Sequence, residues 1–163
     1  MSRSIVIQDL TAEAFREFGD VIALRGTPDQ IINQGFCGRH HDLARLDFAQ
    51  ARAGISLFKA VPRSLPYRLE MMERHPLGSQ AFIPMTADPY LVIVAPDDGG
   101  KPGIPLAFHV APGTGVNFHR GTWHGVLTPL AEPGLFAVVD RIGEGTNLEE
   151  YWFSEAYEVF VSS

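Results

Sequence analysis

The sequence predicts a mainly-β fold, a sandwich or barrel with a few short helices, and three observations carry that prediction. Short runs rich in β-branched and aromatic residues recur along the chain, among them ISLFKA (55–60), LAFHV (106–110) and YEVFV (157–161). Turn-forming clusters separate them: VPRSLP, DDGGKPGIP, APGTG, PLAEPG and GEGTN. The 12 prolines and 16 glycines are therefore spread between strands rather than gathered in a linker. Such short, closely punctuated strands suit a sandwich or barrel better than strand–helix–strand units. At 163 residues, with no internal repeat or low-complexity tract, the chain reads as a single domain over residues 1–163. That length buries roughly two thirds of the unfolded surface.

The elements follow in order. Thr11 is a candidate N-cap of a short helix, with Leu10 and Phe15 as a hydrophobic staple and Gly19 at the residue after its end. HHDLARLDFAQARAG (40–54) is a candidate second helix. Strands are expected at 55–60, at YRLEMMERH (67–75), at DPYLVIVA (88–95), at 106–110, at GVNFH (115–119), at LFAVVDR (135–141) and at 157–161.

Bulk properties exclude several function classes. A net charge of −6, with no Arg-rich stripe, speaks against nucleic acid, because phosphate recognition needs a basic face. No apolar run is long enough for a membrane helix or a signal peptide, so a cytoplasmic protein is expected. Cys37 is the only cysteine, which rules out an internal disulfide and fits a reducing compartment.

Two stretches carry chemistry. In YRLEMMERH, alternation puts Tyr67, Leu69, Met71, Glu73 and His75 on one face, which starts apolar and ends in a carboxylate and an imidazole. The mouth of a ligand-holding barrel has that character, and so does a strand end emerging into solvent. In GTGVNFHRGTWHG (113–125), His119 and His124 are five residues apart among four glycines. A helix would turn the rings about 140° apart, so the pair belongs to strand and turn.

The spacing Glu73-x-His75-x4-Gln80, followed by Gly113-x5-His119-x-Gly121-x2-His124, resembles the two metal-binding motifs of cupins. The likeness is imperfect: Glu73 and Gln80 replace a histidine and a glutamate, and Thr128 stands where asparagine is usual. The longer strings LEMMERHPLGSQAFIPM (69–85), GVNFHRGTWH (115–124), VVDRIGEGTNLEE (138–150), FREFGDVI (15–22) and HHDLA (40–44) resemble the ureidoglycolate lyase family. Members of that family carry a second histidine and a proline after the Trp-His pair, where this chain has Gly125 and Val126.

The resemblance implies a cupin-like double-stranded β-helix barrel, a homodimer, and cleavage of (S)-ureidoglycolate to glyoxylate and urea. It also allows one divalent metal ion (nickel, manganese or zinc), for which His75, His124, Glu73 and Gln80 are the candidate ligands. Loss of urea from a carbinolamide requires removing the hydroxyl proton and protonating the departing nitrogen, with a cation for the carboxylate. His119 and Glu73 are the candidate bases, and Arg141 is read either as the carboxylate anchor or as a bidentate structural partner of Asp140 or Glu150. Arg141 shares a face of LFAVVDR with Leu135, Ala137 and Val139, read as the inward face. Gln80 and the backbone near Gly78 and Ser79 are placed to bond the urea oxygen, and Trp123 is read as a pocket wall or a core aromatic. Arg74, on the opposite strand face from Glu73, is read either as an anchor or as an exterior salt-bridge residue. The competing readings are an amidohydrolase that releases ammonia, and a non-catalytic module binding small acids, which Gly125 favours.

Overall fold

A computed structural model describes residues 3–162. Its strands are β1 (Arg3–Asp9), β2 (Gly19–Ile22), β3 (Gln30–Ile32), β4 (Cys37–Arg39), β5 (Arg52–Lys59), β6 (Tyr67–Arg74), β7 (Gln80–Pro84), β8 (Tyr90–Ala95), β9 (Leu106–Val110), β10 (Gly115–Phe118), β11 (Trp123–His124), β12 (Thr128–Pro129), β13 (Leu135–Ile142) and β14 (Glu149–Phe160). One α-helix among the described residues, α1 (Ala12–Phe15), lies between β1 and β2.

The fold is mainly β and encloses a barrel, as expected. Strands β11, β6, β14, β1, β9 and β8 hydrogen-bond in that order, and β8 pairs back to β11, which closes the ring. A second, antiparallel sheet runs β2-β10-β7-β13-β5, and β3 and β4 form a separate hairpin. Two apolar cores result. Ile5, Leu69, Met72, Leu91, Ile93, Ala95, Ala107, Trp123 and Val159 pack together within the ring. Phe15, Phe82, Val92, Val94, Phe108, Val116, Phe118, Phe136 and Val138 pack between the ring and the second sheet. Strand β8 serves both: Tyr90, Val92 and Val94 join the inter-sheet core, and Leu91, Ile93 and Ala95 join the ring core. A strand covered on both faces is a continuous apolar run, as YLVIVA is.

Four local expectations are corrected. Thr11 caps α1, its hydroxyl accepting from Ala14 N–H at 3.1 Å, but the helix stops at Phe15. Gly19 instead opens β2, where a Cβ would lie 1.8 Å from the Asn117 carbonyl oxygen; it is glycine so that two strands can meet.

The second candidate helix is an extended coil. Asp42 and Ala49 have φ of 49° and 52°, which no right-handed helix accommodates. Partners outside the coil satisfy its backbone: Arg45 N–H donates to Asp20 (2.9 Å), Asp47 N–H to the Ser79 hydroxyl (2.8 Å), and Ser79 N–H to the Asp47 carbonyl (2.7 Å).

Strand β6 changes phase. Leu69 and Met72 both enter the ring core, so the alternation slips between them, opposite a register shift in β14 between Trp152 and Tyr157. Glu73 therefore does not share a face with Leu69.

In β13 the inward residues are Phe136 (3% exposed) and Val138 (0%), and with them Asp140; Leu135, Ala137, Val139 and Arg141 lie on the outer face. The period of two was correct and its phase inverted.

Candidate active site

His124 follows Trp123 in β11, and the two side chains leave on opposite sides. Trp123 enters the ring core, while His124 faces the second sheet and stacks on Phe118, with ring centroids 4.3 Å apart and planes 3° from parallel. Opposite His124 in β6 stands Glu73. His75 lies just beyond the end of β6, its ring centroid 5.2 Å from that of His124. One ligand atom from each of Glu73, His75 and His124 lies within 4.8 Å of the others. The Gly121 turn unites the two informative stretches, because its N–H donates to the His75 carbonyl at 2.9 Å with φ at +81°.

Each imidazole is fixed at Nδ1. That atom of His75 lies 2.7 Å from the Asn147 carbonyl, and that of His124 lies 3.0 Å from the Gly125 carbonyl. A carbonyl can only accept, so Nδ1 carries the proton and Nε2 presents a lone pair. Both Nε2 atoms are buried without a hydrogen-bond partner among the described residues, and so is Gln80 Oε1. Gln80 opens β7 and pairs with Phe118, so its side chain joins Phe82 on the inter-sheet face.

Burial sets the electrostatics. Desolvation, with the neighbouring His75 adding to it, pushes the His124 pKa down to about 3, so the ring stays neutral. Desolvation also raises the Glu73 carboxyl above its usual range; His75 pulls the other way, and Glu150, its cross-strand neighbour, adds to the rise. Solvent reaches the cluster at one edge, where the Glu73 and His75 side chains are 22% and 17% exposed. Asn147 holds that rim: its carbonyl binds His75, and its side-chain oxygen accepts from Leu77 N–H at 2.8 Å.

The other expected site residues lie elsewhere. His119 follows Phe118, so its side chain takes the outer face of the second sheet and bonds Asp20 at 3.1 Å. Although desolvation opposes it, the Asp20 carboxyl is held below its usual range by hydrogen bonds from Asn117, from Arg45 N–H and from His119. Ser79 is committed to Asp47 through its hydroxyl and its N–H. Arg141 packs beside Gly78 on the outer face and donates to the Glu144 carbonyl at 2.9 Å.

Arg74 takes its exterior role. Its guanidinium stacks over Trp123 at 4.5 Å and pairs with Asp97 and Glu149, while Trp123 also donates to Asp97 at 2.9 Å. Arg74→Ala should therefore lower the melting temperature by roughly 2–6 °C and leave turnover at the wild-type rate; paired thermal melts and assays check both. Asp140 and Asn147 were missed, since an acidic residue in an apolar strand and a loop amide bear no sequence signature.

Gly125 carries less weight than its sequence position suggests. A Cβ there would point at Ile93 Cβ (3.3 Å) and Leu69 Cδ1 (3.6 Å), into the ring core and away from His124 Nε2. A missing histidine at 125 therefore removes no side chain from this cluster.

Known proteins resemble the chain over nearly its whole length. The family profile described as ureidoglycolate lyase matches residues 2–160. The chain belongs to the ureidoglycolate lyase family. It is 61% identical to the ureidoglycolate lyase of Rhodobacter capsulatus over 148 residues, covering 90% of this chain and 92% of that one. It is 52% identical to the ureidoglycolate lyase of a Chelativorans species over 96% of both chains. It is 51% identical to ureidoglycolate lyase 2 of Rhizobium meliloti, over 94% of this chain and 95% of that one. Membership of this family makes the chain an enzyme of the lyase class acting on a small molecule.

Proposed function

We propose that this lyase converts (S)-ureidoglycolate to glyoxylate and urea at the Glu73, His75, Gln80 and His124 cluster, with one divalent cation as cofactor. The observation that carries the reading is the chemistry of the donor set. Two imidazole nitrogens lie buried with lone pairs unpaired among the described residues, beside a carboxylate, and the Gln80 amide oxygen on the same inter-sheet face is likewise buried and unpaired. Each orphaned acceptor would cost about 1–3 kcal/mol if nothing ever paired with it. Four acceptors with no N–H or O–H among them repel a carboxylate substrate and attract a cation. Nitrogen and oxygen donors of this kind suit nickel, manganese or zinc. A bound ion would supply Lewis-acid polarisation of the substrate's hydroxyl and carboxylate oxygens.

The protein's own groups then have limited work. His75 and His124 hold their lone pairs in fixed directions through the Asn147 and Gly125 carbonyls. Glu73 is the one anionic group of the cluster, and its raised proton affinity suits it to take the hydroxyl proton. As that proton leaves, the C=O bond forms and the C–N bond breaks; the nitrogen takes up the proton and departs as urea. No water is consumed, so the balance is that of a lyase.

The exposed apolar face of β5, β7 and β13 supports the homodimer: Ile55 (77% exposed) and Leu57 (65%) lie there, with Ile83 (37%) in line with Leu57 across Ala137. The lone cysteine suits a cytoplasmic setting. No helix among the described residues is long and apolar enough to cross a membrane.

Turnover with product identification tests the proposal. Equimolar glyoxylate and urea, formed faster than in an enzyme-free control, is the expected result. Ammonia in place of urea would establish the amidohydrolase. Glyoxylate appearing no faster than by spontaneous decay would establish the binding module.

A further inference from the structure

We propose that Asp140 is a positioning residue that fixes the amide of Gln80, so that Oε1 rather than Nε2 faces the cation site. The inference rests on the cation reading above and adds a residue that no motif singled out.

Gln80 Nε2 donates to Asp140 Oδ2 at 3.2 Å. An ionised carboxylate has no proton to give, so the amide edge beside it must be the nitrogen. The oxygen is thereby turned the other way, where it is buried and without a hydrogen-bond partner among the described residues. The geometry around the pair is rigid. Asp140 and Gln80 are cross-strand partners in β13 and β7, and both follow the inward phase of Phe136, Val138 and Phe82. Gln80's other neighbour, Phe118, stacks face to face on His124.

The alternative orientation is attractive, and this is why a fixing residue matters. A flipped amide would offer two N–H donors toward a cluster of unpaired acceptors, to which a hydrogen bond is worth about 1 kcal/mol or more. The flipped state would turn the donors to the cation site and close it to a cation. Asp140 penalises that flip by leaving amide oxygen against carboxylate oxygen.

The test is a double-mutant cycle read by cobalt(II) binding, followed through its visible absorption, with no turnover required. Asp140→Asn is isosteric but can donate as well as accept, so the amide is free to turn. It is expected to weaken cobalt(II) binding at least about tenfold, the usual scale for losing a group that orients a ligand. Gln80→Ala should weaken it similarly, and Gln80→Ala/Asp140→Asn should be no worse than Gln80→Ala alone. Undiminished binding by Asp140→Asn overturns the inference. So does an equal loss from Asp140→Asn in the presence and absence of Gln80, which would show a carboxylate acting by charge alone. If the asparagine variant does not fold, Asp140→Ala runs the same cycle with the same outcomes. Failure of the wild-type protein itself to bind cobalt(II) overturns the cation reading, and this inference falls with it.

Discussion

His124→Leu is expected to yield a folded protein with turnover reduced at least about a hundredfold. The ring contributes one lone pair to the cluster and little that leucine cannot replace. Leucine is close in volume, and the exchange removes a buried Nε2 that has no partner among the described residues. Near-isosteric changes at buried sites usually cost under about 1.5 kcal/mol, so melting should change little at neutral pH. On the proposed reading, activity depends on that nitrogen whether it meets a cation or the substrate. Loss of a group that merely orients a ligand costs about 10–100-fold, so loss of the ligand itself should cost at least the upper figure.

The variant also has a signature in acid. The His124 pKa falls from 6.5 in the unfolded chain to about 3 in the fold. The unfolded state therefore takes up a proton as pH drops below 6.5 while the native state does not. Stability contributed by the neutral ring is complete above that value and lost progressively down to about 3, at roughly 1.4 kcal/mol per pH unit. By pH 4 the wild type should have given up on the order of 3 kcal/mol that His124→Leu retains. Denaturant titrations with chelator present, at neutral pH and at pH 4, measure this. A variant that keeps wild-type turnover removes His124 from the site; one that loses acid stability in parallel with wild type removes the buried neutral ring.

The sequence shows strands more readily than it shows which way they face. LAFHV coincides with β9, and DPYLVIVA (88–95) contains β8 with two residues to spare, because an apolar run such as YLVIVA, buried on both faces, marks a strand plainly. The same feature conceals phase. In LFAVVDR both alternating sets are apolar, so nothing in the composition says that Phe136, Val138 and Asp140 point inward rather than Leu135, Ala137, Val139 and Arg141. The error placed Arg141 on the inward face and Asp140 on the outer one. In β6 the slip between Leu69 and Met72 depends on three extra residues in a strand some 80 positions away, which no local period records.

The candidate cluster was legible for a different reason. Glu73, His75, Gln80 and His124 lie in two short stretches whose spacing survives any error of strand phase. His119 shares its stretch with His124 yet lies on the other face of the sheet, since it directly follows Phe118, which stacks on His124. Trp123, read as a pocket wall or a core aromatic, takes the core position inside the ring. Spacing brought the stretches together, and only the alternation observed in the fold separates members from neighbours.

Glu73→Gln is expected to reduce turnover by about 10²–10⁴-fold, the usual contribution of a positioned proton-transfer group, while making the cation-free protein more stable at neutral pH. The second half follows from sign. Desolvation raises the folded carboxyl above its ordinary value of 4.5, outweighing the attraction of His75, and Glu150 adds to the rise. The native state thus holds its proton when the unfolded chain has released it. Wild type loses stability as pH rises from 4.5 through the raised value, and the deficit persists above it. Glutamine carries no such charge, so the two proteins should melt alike in acid below that range, with the variant higher above it. A divalent cation reverses the comparison, because it binds the native carboxylate and stabilises the fold by mass action. Nickel, manganese or zinc added to chelator-treated protein should raise the wild-type melting temperature well above any rise in Glu73→Gln, and chelator should restore the original order. Wild-type melting indifferent to all three ions would leave Glu73 as a base working without a metal, and full turnover in Glu73→Gln would end its role as base.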